Sequence, residues 1–169
     1  MRLESGTRIL RVIHGRDAGA TLRNDRIAES MNNQKRQELR AVLLTGAIYC
    51  TIGITFSAFA ARSSHRMAVA WNVASFAVSL VVFAIHIGYD YFGIGNRPLI
   101  VAWHASTAVA LGSFLLAVSA NINSLRVANA RHGLLAIALV VWPLMVGIPA
   151  FVVALIAAGG LHFFRRASV

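Results

Sequence analysis

The sequence predicts an all-α integral membrane protein, four transmembrane helices packed as an antiparallel up-down-up-down bundle. Three observations predict it. Hydrophobic residues make up 57% of the 169-residue chain and charged residues only 13%, against about 25% charged in an average soluble domain. Mean hydropathy is +0.66. Charge is also segregated: residues 1–40 hold nine Arg/Lys and five Asp/Glu, whereas residues 41–169 hold seven Arg and one acid, Asp90. Those seven arginines sit between or beyond apolar runs, never in the middle of one.

A bilayer core of ~30 Å needs about 20 apolar residues as a helix. Four runs qualify, at about 41–61, 67–88, 99–120 and 134–158. The last stays uncharged to Phe164, so it is tilted or ends near Gly159-Gly160 with an interfacial tail. Four long helices without a charged face do not suit a soluble protein, whose surface helices carry a polar stripe. The connections are short: Arg62–Arg66, Tyr89–Pro98 (with Gly93, Gly95, Asn96 and Pro98 as turn signals) and Asn121–Gly133. Short links make consecutive helices antiparallel. The chain therefore divides into a basic, flexible N-terminal cytoplasmic segment, 1–37, and a transmembrane domain, 38–166.

Orientation follows from Arg/Lys near the span ends. One side carries Arg23, Arg26, Lys35, Arg36, Arg40, Arg97, Arg165 and Arg166, and the other Arg62, Arg66, Arg126 and Arg131. Eight against four places both termini in the cytoplasm, as for a bacterial inner (plasma) membrane. Residues 1–37 lack the apolar core of a signal peptide, so the first span inserts itself. Met31 opens a compact basic lead, MNNQKRQELR, and is an alternative start. The net charge of +10 does not indicate nucleic acid, because the arginines flank apolar runs in ones and twos. A basic tail beside anionic lipid headgroups accounts for residues 1–40. The lone Cys50 excludes an intramolecular disulfide and reads as a packing residue.

Lipid tails are as apolar as leucine, so helix association relies on close packing and polar contacts. Gly46, Cys50, Gly53, Ser57 and Ala60 form a small-residue stripe on one face of the first span. The stripe suits packing within the bundle, or association with a second copy or another membrane subunit. Pro143 and Pro149 predict a kink in the fourth span.

The second span carries a polar seam. Asn72, Ser75, Ser79, His86 and Asp90 fall within a sector of roughly 60° on a helix, a face that belongs inside a bundle. His86 lies near the end of its span and His104 about 8 Å into the next, so antiparallel packing brings both to similar depth on the cytoplasmic side. Glu38 and His162 belong to the same end. Two readings follow. In one, His86 and His104 bind a cofactor, haem b through its iron or a quinone, with His86–Asp90 as an i,i+4 proton relay. In the other, His104 and His162 are interfacial beside an aromatic belt of Tyr89, Tyr91 and Trp103, and His86–Asp90 is a local hydrogen-bonded pair. No His-x-x-His, Glu-x-x-His or Cys-x-x-Cys spacing supports a metal site, and no catalytic or phosphate-binding motif supports an enzyme. The leading expectation is a non-enzymatic membrane subunit or interaction protein. The alternatives are a haem- or quinone-binding redox protein using His86 and His104, and a homo-oligomeric small-solute or ion transporter.

Overall fold

The computed structural model describes residues 5–125 and 132–167, with side chains described over 26–123 and 137–165. Helix α1 spans Ser5–Ala61, α2 His65–Gly88, α3 Pro98–Leu125 and α4 His132–Ala167, and a six-residue π-helical segment, Tyr89–Ile94, follows α2. The chain divides into two compact units, Met1–Gln37 and Glu38–Val169. Four helices are long and apolar enough to cross a membrane, with limits at Arg26–Ala61, His65–Ile94, Pro98–Asn123 and Ile137–Arg165.

Helix boundaries exceed the apolar runs, because backbone hydrogen bonding does not stop where hydrophobicity does. Residues 5–37, read from sequence as a flexible segment, are helical. Their Arg, Ala, Glu, Gln and Met content favours that conformation. At the other end α4 continues through Gly159 and Gly160 to Ala167. Two glycines cost a helix about 1 kcal/mol each relative to alanine, and the good helix formers Ala157, Ala158 and Leu161 surround them. Pro143 and Pro149 lie inside α4, which remains one helix. The expected connection Asn121–Gly133 is shorter than its sequence limits suggest, since α3 runs on to Leu125 and α4 starts at His132. Residues 126–131, with Arg126 and Arg131, lie outside the described residues.

Small residues set how closely the helices of the second unit approach. Ala102, Ala105 and Ala108 on α3 and Ala154 and Ala158 on α4 are fully buried. A Cβ added at Gly147 of α4 would meet the Ala110 Cβ at 3.2 Å, and the Ser106 hydroxyl donates to the Gly147 carbonyl at 3.1 Å. The contact between α1 and α3 is tighter. A Cβ on Gly46 would lie 2.8 Å from Leu111, one on Gly53 2.5 Å from Leu116, and one on Gly112 2.5 Å from the Tyr49 Cβ and 3.0 Å from the Gly46 carbonyl. Gly46 and Gly53 of the stripe thus face α3 of the same chain, while Ser57 is exposed and Cys50 and Ala60 half-buried. Phe59 stacks on Trp71 at 5.1 Å, with Phe56 edge-on to the same ring at 5.9 Å, which closes the α1–α2 turn.

These distances predict a contrast between glycines. Gly112→Val should destabilise the protein by about 1–3 kcal/mol through overpacking against backbone and Tyr49 Cβ. Gly159→Ala, where nothing lies within 4 Å of the new Cβ, should stabilise it by up to about 1 kcal/mol. Thermal unfolding in detergent micelles, followed by circular dichroism, reads both.

Candidate functional site

Asp90 is the only acid between Ala41 and the C-terminus, and it is 1% exposed. A carboxyl group removed from solvent needs partners for its oxygens, and Asn96 of the turn after α2 and His104 of α3 supply them. The α-helix of α2 widens into the π-helical segment at Tyr89. The wider turn leaves two consecutive side chains, Asp90 and Tyr91, both buried. It ends at Gly95, whose φ of +80° suits a residue without a Cβ. The left-handed step folds the backbone back, so that the N–H groups of Gly95 and Asn96 both donate to the Asp90 carbonyl. The Asn96 side-chain amide then donates to Asp90 Oδ1 at 2.9 Å. Asp90 Oδ2 lies 3.0 Å from Nδ1 of His104 on α3. That contact ties the end of α2 to the start of α3.

A second histidine is held in the same manner by a different helix. His86 is buried, and its Nδ1 is 3.0 Å from the Thr45 hydroxyl of α1. Its Nε2 is buried without a hydrogen-bond partner, as is the Tyr49 hydroxyl one turn along α1 from Thr45. A third polar contact, 3.3 Å from the Tyr91 hydroxyl to Nδ1 of His162, joins this end of the bundle to α4. At this end of the bundle Ile87, Tyr91, Val101, Ala102 and Ala105 form one buried cluster with Ala154 and Ala158.

The sequence-derived residues divide accordingly. Asp90, His86, His104 and His162 are all engaged in polar contacts at this end. Glu38 is half-buried. The seam on α2 is graded: Asp90 and His86 are buried, Ser75 and Ser79 half-buried, and Asn72 exposed. His86 and Asp90, an i,i+4 pair by spacing, bond in different directions, His86 to Thr45 and Asp90 to Asn96 and His104. Helical spacing permits a contact, but the π-turn beyond Gly88 and the better-placed partners on α1 and α3 take both groups. Of the aromatic belt, Tyr89 and Trp103 are exposed, whereas Tyr91 is buried and bonded to His162. The sequence did not single out Thr45 or Tyr49, and it marked Tyr91 only as a belt residue and Asn96 only as a turn signal. Asn96 had a signal, an amide beside glycine six residues after the one acid that follows Ala41. Thr45 had none, because a threonine in an apolar helix carries no mark of its partner.

Chemically, His86 and His104 each have Nδ1 held by an oxygen-bearing partner, the arrangement that orients an imidazole for work through Nε2. Among the described residues no group of three or more His, Cys, Asp or Glu converges to hold a metal ion. No protein-family model matches the chain, and neither a curated protein nor a solved structure is similar to it.

The contacts of Asp90 predict a graded mutational response. Asp90→Ala strands the His104 and Asn96 donors and should cost about 3 kcal/mol. Asp90→Asn keeps an acceptor for Asn96 and offers its own N–H to a neutral His104, so its cost should be markedly smaller. Chemical unfolding in mixed micelles measures the difference; equal losses would mean that the carboxyl group itself is required and that an amide of the same shape cannot replace its contacts.

Proposed function

We propose that this protein is a four-span integral membrane protein of the inner membrane, with both termini cytoplasmic, and that it serves as a non-enzymatic membrane subunit. The spans' composition and the arginine distribution support insertion and orientation. The order of contacts supports an up-down-up-down path: partners rise together between α1 and α3 (Gly46 with Leu111, Gly53 with Leu116), and run in opposite order between α1 and α2 (Thr45 with His86, Phe59 with Trp71) and between α3 and α4 (Trp103 with Phe151, Ser106 with Gly147).

The observation that carries the subunit reading is Asn72. It is exposed on α2 within an apolar span, and that span's most apolar window buries none of its residues within the chain. A side-chain amide facing lipid leaves its hydrogen-bonding capacity unmet, whereas an amide between helices is a recognised association contact. Asn72 therefore fits an interface with a neighbouring helix, from a second copy or another subunit. The small-residue stripe contributes less to association on this reading, since α3 takes Gly46 and Gly53. In gently solubilised membranes the protein should migrate as an assembly larger than its own 18.2 kDa on native gels. Asn72→Leu should release the single chain, and Val73→Leu, at an exposed neighbour, should not. A single chain before and after the Asn72 substitution contradicts the proposal.

A second reading, a haem- or quinone-binding redox protein, draws on the two imidazoles oriented through Nδ1. Haem b held by His86 and His104 predicts a Soret band in the purified protein that disappears on His86→Ala or His104→Ala. A colourless preparation removes the haem form of this reading.

A further inference from the structure

Side-chain amides in the bundle meet two different fates. Asn96 donates to Asp90 Oδ1, and Asn121 donates to the Ala117 carbonyl of its own helix. Asn72 of α2 is exposed and has no hydrogen-bond partner among the described residues. It lies seven residues beyond His65, the first residue of α2. That is about 10 Å along the helix by rise, deep within one half of a hydrocarbon core ~30 Å thick. An asparagine side chain is too short to reach the headgroups from there, as lysine and arginine do.

The surroundings of Asn72 on α2 form a surface for a neighbouring helix. Val69, Phe76 and Leu80 are exposed and fall with Asn72 inside a sector of roughly 80° at 100° per residue, a stripe of the kind a helix packs against a neighbour. Val78 is exposed on the opposite side of the same helix. The amide decides which neighbour. It carries a donor and an acceptor in one plane, so a second carboxamide satisfies both through a reciprocal pair of N–H···O=C bonds. Two copies inserted in the same orientation, related by a two-fold axis along the membrane normal, bring every residue to the depth of its own counterpart. Helix α2 beside that axis sets Asn72 against Asn72 of the partner subunit. A single buried asparagine fixes register and pairing in parallel two-stranded coiled coils on the same principle.

We propose that the chain forms a parallel homodimer about α2, closed by a reciprocal amide pair between the two copies of Asn72, with Val69, Phe76 and Leu80 packed around it. This inference rests on the subunit reading above and names the partner in it: a second copy of the chain, not a different protein. The interface is self-complementary, so one pairing satisfies both amides and leaves no exposed polar group of that stripe to recruit a third chain.

The test is cysteine cross-linking of the full chain, in its native membranes and in liposomes. In a Cys50→Ser background, which removes the chain's one cysteine, Val69→Cys and Phe76→Cys should give disulfide-linked dimers on mild oxidation, and Val78→Cys should not. Adding Asn72→Leu to either cysteine variant should weaken association about tenfold, the loss expected for two hydrogen bonds between membrane helices. The readout is the dilution with added lipid at which cross-linking falls by half. Asn72→Gln, which keeps the amide, should retain most of the association. Equal yields at all three cysteines, or yields that Asn72→Leu leaves unchanged, overturn the proposal. So does an assembly on native gels that neither cross-links through α2 nor co-purifies two differently tagged copies of the chain; the subunit reading then stands with a different protein as partner. A single chain on native gels, before and after substitution, removes both.

Discussion

One carboxyl group organises an end of this bundle. Asp90 is buried, where an unpartnered acid would be severely penalised. Its surroundings answer each of its polar atoms: Asn96 at Oδ1, His104 at Oδ2, and two backbone N–H groups at its own carbonyl. The π-helical segment, the left-handed Gly95 and the short link to α3 all follow from meeting that demand. π-turns are uncommon and recur at functional positions. Here the widened turn puts Asp90 and Tyr91 inside together, which an α-helical continuation separated by 100° per residue would do less readily.

Elsewhere the bundle is held by proximity. Alanine and glycine bring α3 against α4 and α1 against α3, where dispersion and short polar contacts act over close backbone approach. These contacts leave much of α2 and α4 uncovered, with large apolar side chains such as Phe76, Ile85, Met145 and Ile156 exposed. In water such a surface would drive aggregation; against lipid it needs no cover. Asn72 of α2 is a departure from that lipid-compatible surface.

Much of this is legible in the amino-acid sequence itself. The four apolar runs, the concentration of His86, Asp90, His104 and His162 at one end, and the closeness of Gly46 and Gly53 to a neighbour follow from composition and the 3.6-residue period. The partners did not. Spacing made His86 and Asp90 look like a pair, yet each found a better-placed group on another helix, and Thr45 was invisible for that reason. The segment after Gly88 read as a loop because Gly93, Gly95 and Asn96 are turn residues; only the last two of them act so. The alanine seam of α3 and α4 carries the same periodic signal as the glycine stripe of α1, but alanine is so common in apolar helices that its spacing does not stand out.

The central claim is that Asp90 and His104 form one interacting unit that joins α2 to α3. A double-mutant cycle with Asp90→Ala, His104→Ala and the combined variant, read by unfolding free energy in the same micelles, tests it most directly. Coupling of about 1–3 kcal/mol is expected for groups sharing one buried contact. Additive losses, with no coupling beyond the measurement error, would contradict the account.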